Sequence, residues 1–408
     1  MFVLYIVSYL DRINVSIAEL QLNAALKFDP AVFGLGAGIF FIGYFIFEIP
    51  SNLIMQRVGA RIWIARILVT WGVISSAMMF VNGPRTFYIL RFLLGLAEAG
   101  FFPGMILYLT YWFPVEARGR AVARFMTATA IAGVIGGPVS GLLLKIDGTA
   151  GLAGWQWLFL IEGLPAVILG FVTLAYLPDS PKTAGWLTAD EKTWIESKLA
   201  AEREQAVHHG HTTLRAALGS GHVWTLSIIY FSVIISFYGI SLWLPQIVQS
   251  FSGLSDVMVG FASAIPYAAA AIGMVIVGRS SDSRDERRWH IALSAITGAA
   301  GLTAAAFLKN PAAELTALAV AAVGIWGTLG PFWAMSSRML SGTGAAAGIA
   351  LINSVGNLGG FAGPYLIGLV RSRTNSFAGA LIALALFPLV GGIVTLVFNS
   401  KKDLHTSD

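Results

Sequence analysis

Four ionisable side chains lie inside long apolar stretches of this 408-residue sequence. Asp11 and Arg12 are adjacent in the first stretch, and Arg91 and Glu98 are seven residues apart in the fourth. Residues seven apart lie on one face of an α-helix, two turns from each other. Because ionisable groups in apolar surroundings are costly and normally face a partner or a water-filled path, these four residues are the first candidates for a functional site.

The residue types indicate what chemistry such a site could perform. An arginine guanidinium stays charged and binds a carboxylate through two parallel hydrogen bonds, so Arg12 and Arg91 could hold an organic anion. Desolvation favours the neutral form of a carboxyl group and a nearby arginine favours the charged form, so Asp11 and Glu98 could take up and release protons. The structural alternative is that two positive and two negative side chains neutralise one another and hold helices together.

The composition predicts a membrane protein. Hydrophobic residues make up 56% of the chain and charged residues only 12%, about half the charge of an average soluble domain. A membrane-spanning helix needs about 20 apolar residues, and twelve stretches meet this length. They are 1–22, 32–56, 60–81, 86–113, 119–147, 153–178, 222–250, 256–280, 288–308, 312–340, 344–371 and 375–398.

The first stretch is expected to stay in the mature protein as a helix. It has no basic leader and no small-residue cleavage site, and it carries charged residues where a signal peptide is apolar. Because Met1 already lies in the apolar run, we expect a short native cytoplasmic segment to precede it.

A long polar segment divides the helices into six and six. We expect an N-terminal six-helix bundle over 1–178, a cytoplasmic linker with an amphipathic surface helix over 179–221, a C-terminal six-helix bundle over 222–398 and a cytoplasmic tail over 399–408. With the first loop assigned outside, most of the 26 Lys and Arg residues fall in the inner loops. The positive-inside rule then places both termini in the cytoplasm.

The two halves carry similar sequences. Trp63 and Trp289 follow basic residues in corresponding loops, and Pro138 and Pro364 lie in corresponding Gly-Pro segments. The separation along the chain is the same for both pairs. Parallel six-helix repeats are the layout of one large transporter class, whose substrate site lies between the halves near the bilayer midplane.

Other polar side chains are weaker candidates for a binding site. Tyr44 and Tyr238 carry hydroxyl groups that need hydrogen-bond partners in a membrane. Asn353 and Asn357 are one helical turn apart, and each is expected to bond another helix or a ligand. Aromatic residues at helical spacing more often pack the interior than bind a ligand. Glu162 lies nearer the end of its predicted helix and is assigned to helix packing or the membrane interface.

Several function classes are excluded or disfavoured. The chain has no cysteine, no HExxH or GxSxG motif and no Gly-Lys dipeptide, so no familiar enzyme site or Walker A nucleotide site is present. We expect no enzyme activity, no cofactor and no metal. The basic residues lie between apolar runs rather than on one polar face, which excludes nucleic acid as a partner. His208, His209 and His211 are interpreted as part of a solvated loop, since no further ligand lies beside them.

Longer motifs resemble a known family. The strings are YLDRINVS (9–16), FFIGYFIFEIPSNLIMQRVGARIWIAR (40–66), RFLLGLAEAGFFPG (91–104), WLPQIV (243–248), SDSRDERRWH (281–290) and NSVGNLGGFAGP (353–364). Together they look like the anion:cation symporter family of the major facilitator superfamily, and the resemblance covers essentially the whole chain. It implies an all-α membrane protein of twelve transmembrane helices in two six-helix halves.

The resemblance also implies roles for individual residues. Asp11 and Glu98 match the protonation sites of that family, and Arg12 and Arg91 match residues that matter for anion binding and coupling. The implied pocket residues are Tyr44, Trp333 and Asn357. Two departures are visible. The loop after helix two lacks the superfamily's usual acid, whereas the copy after helix eight keeps Asp282. Helix five offers Thr127 and Thr129 where sugar-acid carriers of the family tend to place a glutamine, which favours a smaller or aromatic carboxylate.

We therefore expect a secondary active transporter in the bacterial inner membrane. It would import an organic carboxylate, either an aromatic acid or a small di- or hydroxycarboxylate, together with protons by alternating access. The expected partners are the small-molecule anion, protons and membrane lipid, with the protein as a monomer. The alternatives are a hexonate:proton symporter, an uncoupled uniporter or exporter, an intramembrane enzyme built on two carboxylates, and a sensor that binds without transport.

Overall fold

The computed structural model describes residues 1–208, 218–339 and 344–398, and these residues contain α-helices and short 3₁₀ turns but no β-strand. The helices are α1 (Phe2–Leu26), α2 (Pro30–Val58), α3 (Ala60–Ala77), α4 (Pro84–Glu98), α5 (Phe101–Thr110), α6 (Val115–Leu143), α7 (Gly154–Tyr176), α8 (Ala189–His208), α9 (Gly221–Ser252), α10 (Asp256–Ser283), α11 (Arg288–Phe307), α12 (Pro311–Gly327), α13 (Leu329–Met339), α14 (Gly344–Asn357), α15 (Gly359–Thr374) and α16 (Ala378–Val397).

Each of the twelve predicted apolar stretches is helical. Within the described residues, 10 helical segments are long and apolar enough to cross a membrane. The stretches outside this set are 1–22, which carries Asp11 and Arg12, and 344–371, which is divided at Leu358. The predicted linker helix is α8.

Three predicted stretches are broken into two helices each: 86–113, 312–340 and 344–371. The first break lies at Gly100, whose backbone φ of 82° is in the left-handed region that favours glycine. A Cβ atom at this position would lie 2.5 Å from the Cβ of Ser51. Hydrophobicity does not distinguish a continuous helix from one with such a break, so the sequence predicts single helices here.

Backbone contacts divide the chain into two compact units. Unit 1 comprises Met1–Phe28 and Ile39–Gly210, and unit 2 comprises Asp29–Gly38 and His211–Asp408. The first turns of α2 therefore group with the C-terminal helices. Within unit 2 they approach α15 closely, since a Cβ at Gly34 would lie 2.6 Å from the carbonyl oxygen of Pro364.

In unit 1, small residues allow α3 and α7 to pack closely. A Cβ atom built on Gly72 would lie 2.8 Å from the carbonyl oxygen of Gly163 and 2.9 Å from the backbone nitrogen of Val167. Small residues at helix interfaces let backbones approach in this way. The contact brings the middle of α3 against the middle of α7, where Trp71 and Glu162 lie.

In unit 2, α9 is the most enclosed helix and ties several others together. Trp243 Nε1 donates a hydrogen bond to the Pro364 carbonyl oxygen at 3.0 Å, and the Phe237 ring packs on Trp326 with centroids 4.3 Å apart. The loop between α10 and α11 is held by ion pairs. Asp282, near the end of α10, pairs with Arg287 at 2.6 Å. Asp282 is the acidic residue that the sequence analysis noted after the eighth apolar stretch.

We predict that Gly72→Ala destabilises the protein. The added methyl group has no room against α7, and overpacking of this kind costs about 1–3 kcal/mol, which outweighs the higher helix propensity of alanine. Thermal unfolding of the detergent-purified protein measures the effect. Gly83→Ala is the matched control, because no heavy atom lies within 4 Å of the added Cβ. Equal stability of the two variants would contradict this account of the α3–α7 contact.

Candidate functional site

Arg12 and Glu98 form a buried ion pair between α1 and α4. Arg12 NH2 donates to Glu98 Oε1, and Ser8 Oγ donates to the same oxygen at 2.8 Å. Arg12 is 6% exposed and Glu98 1% exposed. The carboxylate of Glu98 is therefore compensated by a cation and a hydroxyl group inside unit 1.

Aromatic rings cover the two arginines. The guanidinium carbon of Arg12 lies 5.4 Å from the ring centroid of Phe40 and 5.3 Å from that of Tyr44. The guanidinium carbon of Arg91 lies 4.9 Å from the centroid of Phe40, and Arg91 interacts electrostatically with both Glu98 and Arg12. Cations over aromatic faces are stabilised by the ring quadrupole. The structure thus brings Arg12, Tyr44, Arg91 and Glu98 together.

Asp11 has surroundings of a different kind. It accepts hydrogen bonds from Trp71 Nε1 at 2.5 Å, from Ser75 Oγ at 3.1 Å and from Asn14 Nδ2 at 3.3 Å. The sequence analysis expected an arginine to tune this carboxyl group, but its hydrogen-bond donors here are neutral. Successive residues of a helix point about 100° apart, so Arg12 faces α4 while Asp11 faces α3.

Sequence reasoning missed Trp71 and Ser75 as partners of Asp11. They are one helical turn apart on α3 and belong to an apolar run, where a tryptophan and a serine give no sign of function. The available signal was their spacing of four residues, which places an indole N–H and a hydroxyl on one face.

Glu162 lies in the interior of α7 rather than at its end. Its Oε1 accepts a hydrogen bond from Ser140 Oγ of α6 at 2.7 Å. This bond joins α7 to α6, which agrees with the helix-packing role that the sequence interpretation gave Glu162. Asp11, Glu98 and Glu162 are thus three of the buried carboxyl groups of unit 1, which also include Glu19 and Glu48.

The remaining candidates lie in unit 2. Trp333 packs edge-on against Tyr230 and Phe332, with ring centroids 5.0 and 5.3 Å apart. Tyr238 is buried and packs edge-on against Phe237 at 4.9 Å. Tyr230 was missed by sequence reasoning, although it lies about two helical turns before Tyr238 on the same helix.

The two asparagines of α14 belong to the same unit. Asn353 is buried and Asn357, the last residue of α14, is half-buried. The roles of Trp333, Tyr238 and both asparagines in binding stay predictions.

No cluster of three or more metal-binding side chains occurs in the part of the chain that the structure describes. Of the linker histidines, His208 ends α8, and His209 and His211 lie outside the described residues.

Comparison with known proteins identifies the family. The family described as the Major Facilitator Superfamily matches residues 1–364. The chain belongs to this superfamily. It is 48% identical over 405 residues to an Agrobacterium vitis protein named "Putative tartrate transporter", covering 99% of this chain and 90% of that protein. It is 44% identical over 401 residues to the "Quinolone resistance transporter" of Acinetobacter baumannii, covering 98% and 92%.

A solved structure has the same fold. A bacterial homologue of the human lysosomal transporter Spinster, in an inward-facing and occupied conformation, superimposes with a TM-score of 0.78 at 16% identity, covering 97% of this chain and 94% of that one. This superfamily member is accordingly a multi-pass membrane transporter of a small-molecule substrate, with relatives among organic-anion transporters, and its family is one of carriers rather than enzymes.

We predict that the Arg12–Glu98 pair is strongly coupled in stability. Arg12→Met leaves the Glu98 carboxylate buried without its cation, which costs about 3–5 kcal/mol. Adding Glu98→Gln should recover part of that loss, because the double variant no longer buries the Glu98 carboxylate without Arg12, although Arg91 then loses its acidic neighbour. Thermal unfolding of the single and double variants measures the coupling.

Arg61→Gln serves as the control. Arg61 and Asp179 are 4.0 Å apart with side chains 45% and 43% exposed, and such surface pairs contribute about 1 kcal/mol or less. If Arg12→Met were as stable as the wild-type protein, Arg12 would not be needed to offset the cost of burying the Glu98 carboxylate.

Proposed function

We propose that this superfamily member imports an organic carboxylate anion together with protons, by alternating access, across the bacterial inner membrane with both termini in the cytoplasm. The observation that carries the proposal is the buried group of two arginines and Glu98 in unit 1. An arginine side chain binds a carboxylate well. A carboxyl group already bonded to that arginine can take up a proton, which makes the arginine available to bind the substrate carboxylate instead.

The arginines supply the anion site. A substrate carboxylate can accept two parallel hydrogen bonds from a guanidinium fork, and the Phe40 ring supports both Arg12 and Arg91. The Tyr44 ring lies beside Arg12 and offers an aromatic face to the substrate. In unit 2 we assign Tyr238, Trp333, Asn353 and Asn357 to substrate contact, with the amides as hydrogen-bonding groups.

Proton coupling follows from competition for Arg12. While Glu98 is ionised, Arg12 is bonded to it. Protonation of Glu98 removes the negative charge that holds the guanidinium, so Arg12 becomes available to the substrate carboxylate. The substrate carboxylate that binds Arg12 then brings one negative charge and the proton one positive charge, so the net charge at Arg12 and Glu98 is unchanged. Because binding free energies are reciprocal, the proton favours substrate binding and the substrate favours proton binding. Asp11 is assigned as the second protonation site.

The substrate class is narrower than organic anions in general. The Agrobacterium relative is named for tartrate, a small hydroxydicarboxylate. The α6 helix of this chain offers Thr127 and Thr129, where sugar-acid carriers of the family that the sequence resembles tend to place a glutamine. We therefore favour a small di- or hydroxycarboxylate or an aromatic acid over a hexonate. The Acinetobacter relative named for quinolone resistance supports a second candidate function, the export of an aromatic carboxylate. The proposed working unit is a monomer in lipid.

The test is uptake into proteoliposomes of the purified protein. We expect tartrate, phthalate or a hydroxybenzoate to accumulate when the outside is acid, because protons and anion move inward together. Substrate addition without a pH gradient should make the outside more alkaline. Accumulation only when the inside is acid would instead indicate an exporter or antiporter, and uptake that ignores pH would indicate a uniporter.

Glu98→Gln separates binding from coupling in the same assay. The glutamine cannot ionise, so we expect counterflow exchange of the anion to persist while gradient-driven accumulation is lost. Arg91→Ala should lose both, since the guanidinium is needed to bind. Full accumulation by Glu98→Gln would move the coupling proton to another residue.

A further inference from the structure

The carboxyl group of Glu162 has no part in the mechanism above, although it is buried and interacts with Asp11, which has a part. Glu162 is 8% exposed. Its Oε1 accepts a hydrogen bond from Ser140 Oγ, while its Oε2 has no hydrogen-bond partner among the described residues. A buried carboxylate with an uncompensated oxygen atom is unfavourable, and such a group is stabilised by holding a proton.

A direct electrostatic link connects Glu162 to Asp11. Both Glu162 and Glu98 interact electrostatically with Asp11. Asn14 Nδ2 donates to Asp11 Oδ1 at 3.3 Å, and the Asn14 side chain also interacts with the Glu162 carboxyl group. Asn14 is 2% exposed, so this amide is held inside the unit with two carboxyl groups.

Among the described residues of the neighbouring helices, none provides a cation bonded to either carboxyl group of this pair. On α1 the adjacent cation is Arg12, which is bonded to Glu98 of α4. At the same level α3 presents Trp71 and Ser75, and α6 presents Ser140, all of them neutral. Arg61 and Arg66 belong to the first turns of α3. Two ionised carboxylates here would repel each other at low dielectric, and a proton on one of them would relieve that repulsion.

The hydrogen bonds decide where that proton resides in this conformation. Asp11 accepts three hydrogen bonds from neutral donors, which stabilise its ionised form, whereas one of the two carboxyl oxygen atoms of Glu162 has no hydrogen-bond partner among the described residues. An amide group can serve both states, because its N–H donates to a carboxylate and its oxygen accepts from a protonated carboxyl group. Asn14 is therefore suited to lie between one ionised and one protonated partner.

We propose that Glu162 is a further proton-carrying residue of the transport cycle, in addition to Glu98 and Asp11, and that the Asn14 amide links it to Asp11. This rests on the proposed proton-coupled function. In the cycle, the Glu162 carboxyl group binds a proton from the outer solution and releases it inside, so that it contributes one proton per substrate beside that of Glu98. No covalent bond other than the O–H bond of the carboxyl group forms or breaks.

The test is the accumulation of substrate at a fixed pH difference with the membrane potential held at zero. The probe is radiolabelled tartrate, or phthalate if tartrate is not carried, in proteoliposomes of the full chain. Glu162→Gln should keep counterflow exchange, which shows that the variant is folded and binds. Loss of one proton per substrate lowers the equilibrium accumulation about tenfold for each pH unit of gradient.

Glu48→Gln is the matched control, because Glu48 is an equally buried glutamate of unit 1 that lies on α2. Its accumulation ratio should equal that of the wild-type protein. If Glu162→Gln also equals the wild-type protein, Glu162 carries no proton and the inference is wrong while the proposed function stands. If the wild-type protein shows no pH-driven accumulation at all, the proposed function itself fails.

A second variant covers the case in which Glu162→Gln does not fold. Ser140→Ala keeps the carboxyl group and removes its hydrogen-bond donor, so the accumulation ratio should remain that of the wild-type protein. The pH of half-maximal uptake should shift by about half a unit or more, because one neutral donor favours the ionised carboxyl group. An unchanged pH profile in Ser140→Ala would overturn the proposal.

Discussion

The rest of unit 1 depends on the burial of an arginine–glutamate pair among apolar helices. Removing two charges from water is costly, and their attraction offsets that cost only when geometry and further hydrogen bonds are good. Arg12 and Glu98 meet this condition through Ser8 and through the rings of Phe40 and Tyr44. The pair fixes how α1 faces α4. In the proposed mechanism it also provides the site of exchange, where a proton neutralises Glu98 and a substrate carboxylate replaces it on Arg12.

The buried carboxyl groups of unit 1 differ in whether a cation or neutral donors bind them. Glu98 is bonded to a cation, so its charge is compensated in this conformation. Asp11 and Glu162 are bonded to neutral donors, so in the proposed mechanism protons rather than an arginine compensate their charge. A guanidinium cannot readily lose its charge, and the unit therefore uses carboxyl groups of both kinds. This division follows from which face of α1 each residue occupies.

Much of the fold could be predicted from the sequence, because long apolar stretches and basic loops are strong signals for membrane helices. The buried charges in 9–16 and 91–98 were equally visible, since ionisable residues are rare in such stretches. Breaks such as that at Gly100 were not predicted, because they depend on close contact with a second helix. The partners of Asp11 were not predicted, because they depend on how α3 is aligned against α1, and the periodicity of a single helix does not contain that information.

The central claim is that substrate and proton bind together because Glu98 and the substrate compete for Arg12. Calorimetric titration of tartrate or phthalate into the purified protein, in buffers of differing ionisation enthalpy at one pH near neutrality, measures it directly. The account predicts that each anion bound is accompanied by net uptake of protons from the buffer, and that Glu98→Gln binds the anion with less proton uptake. Binding of the anion to the wild-type protein with no net proton uptake would contradict the account.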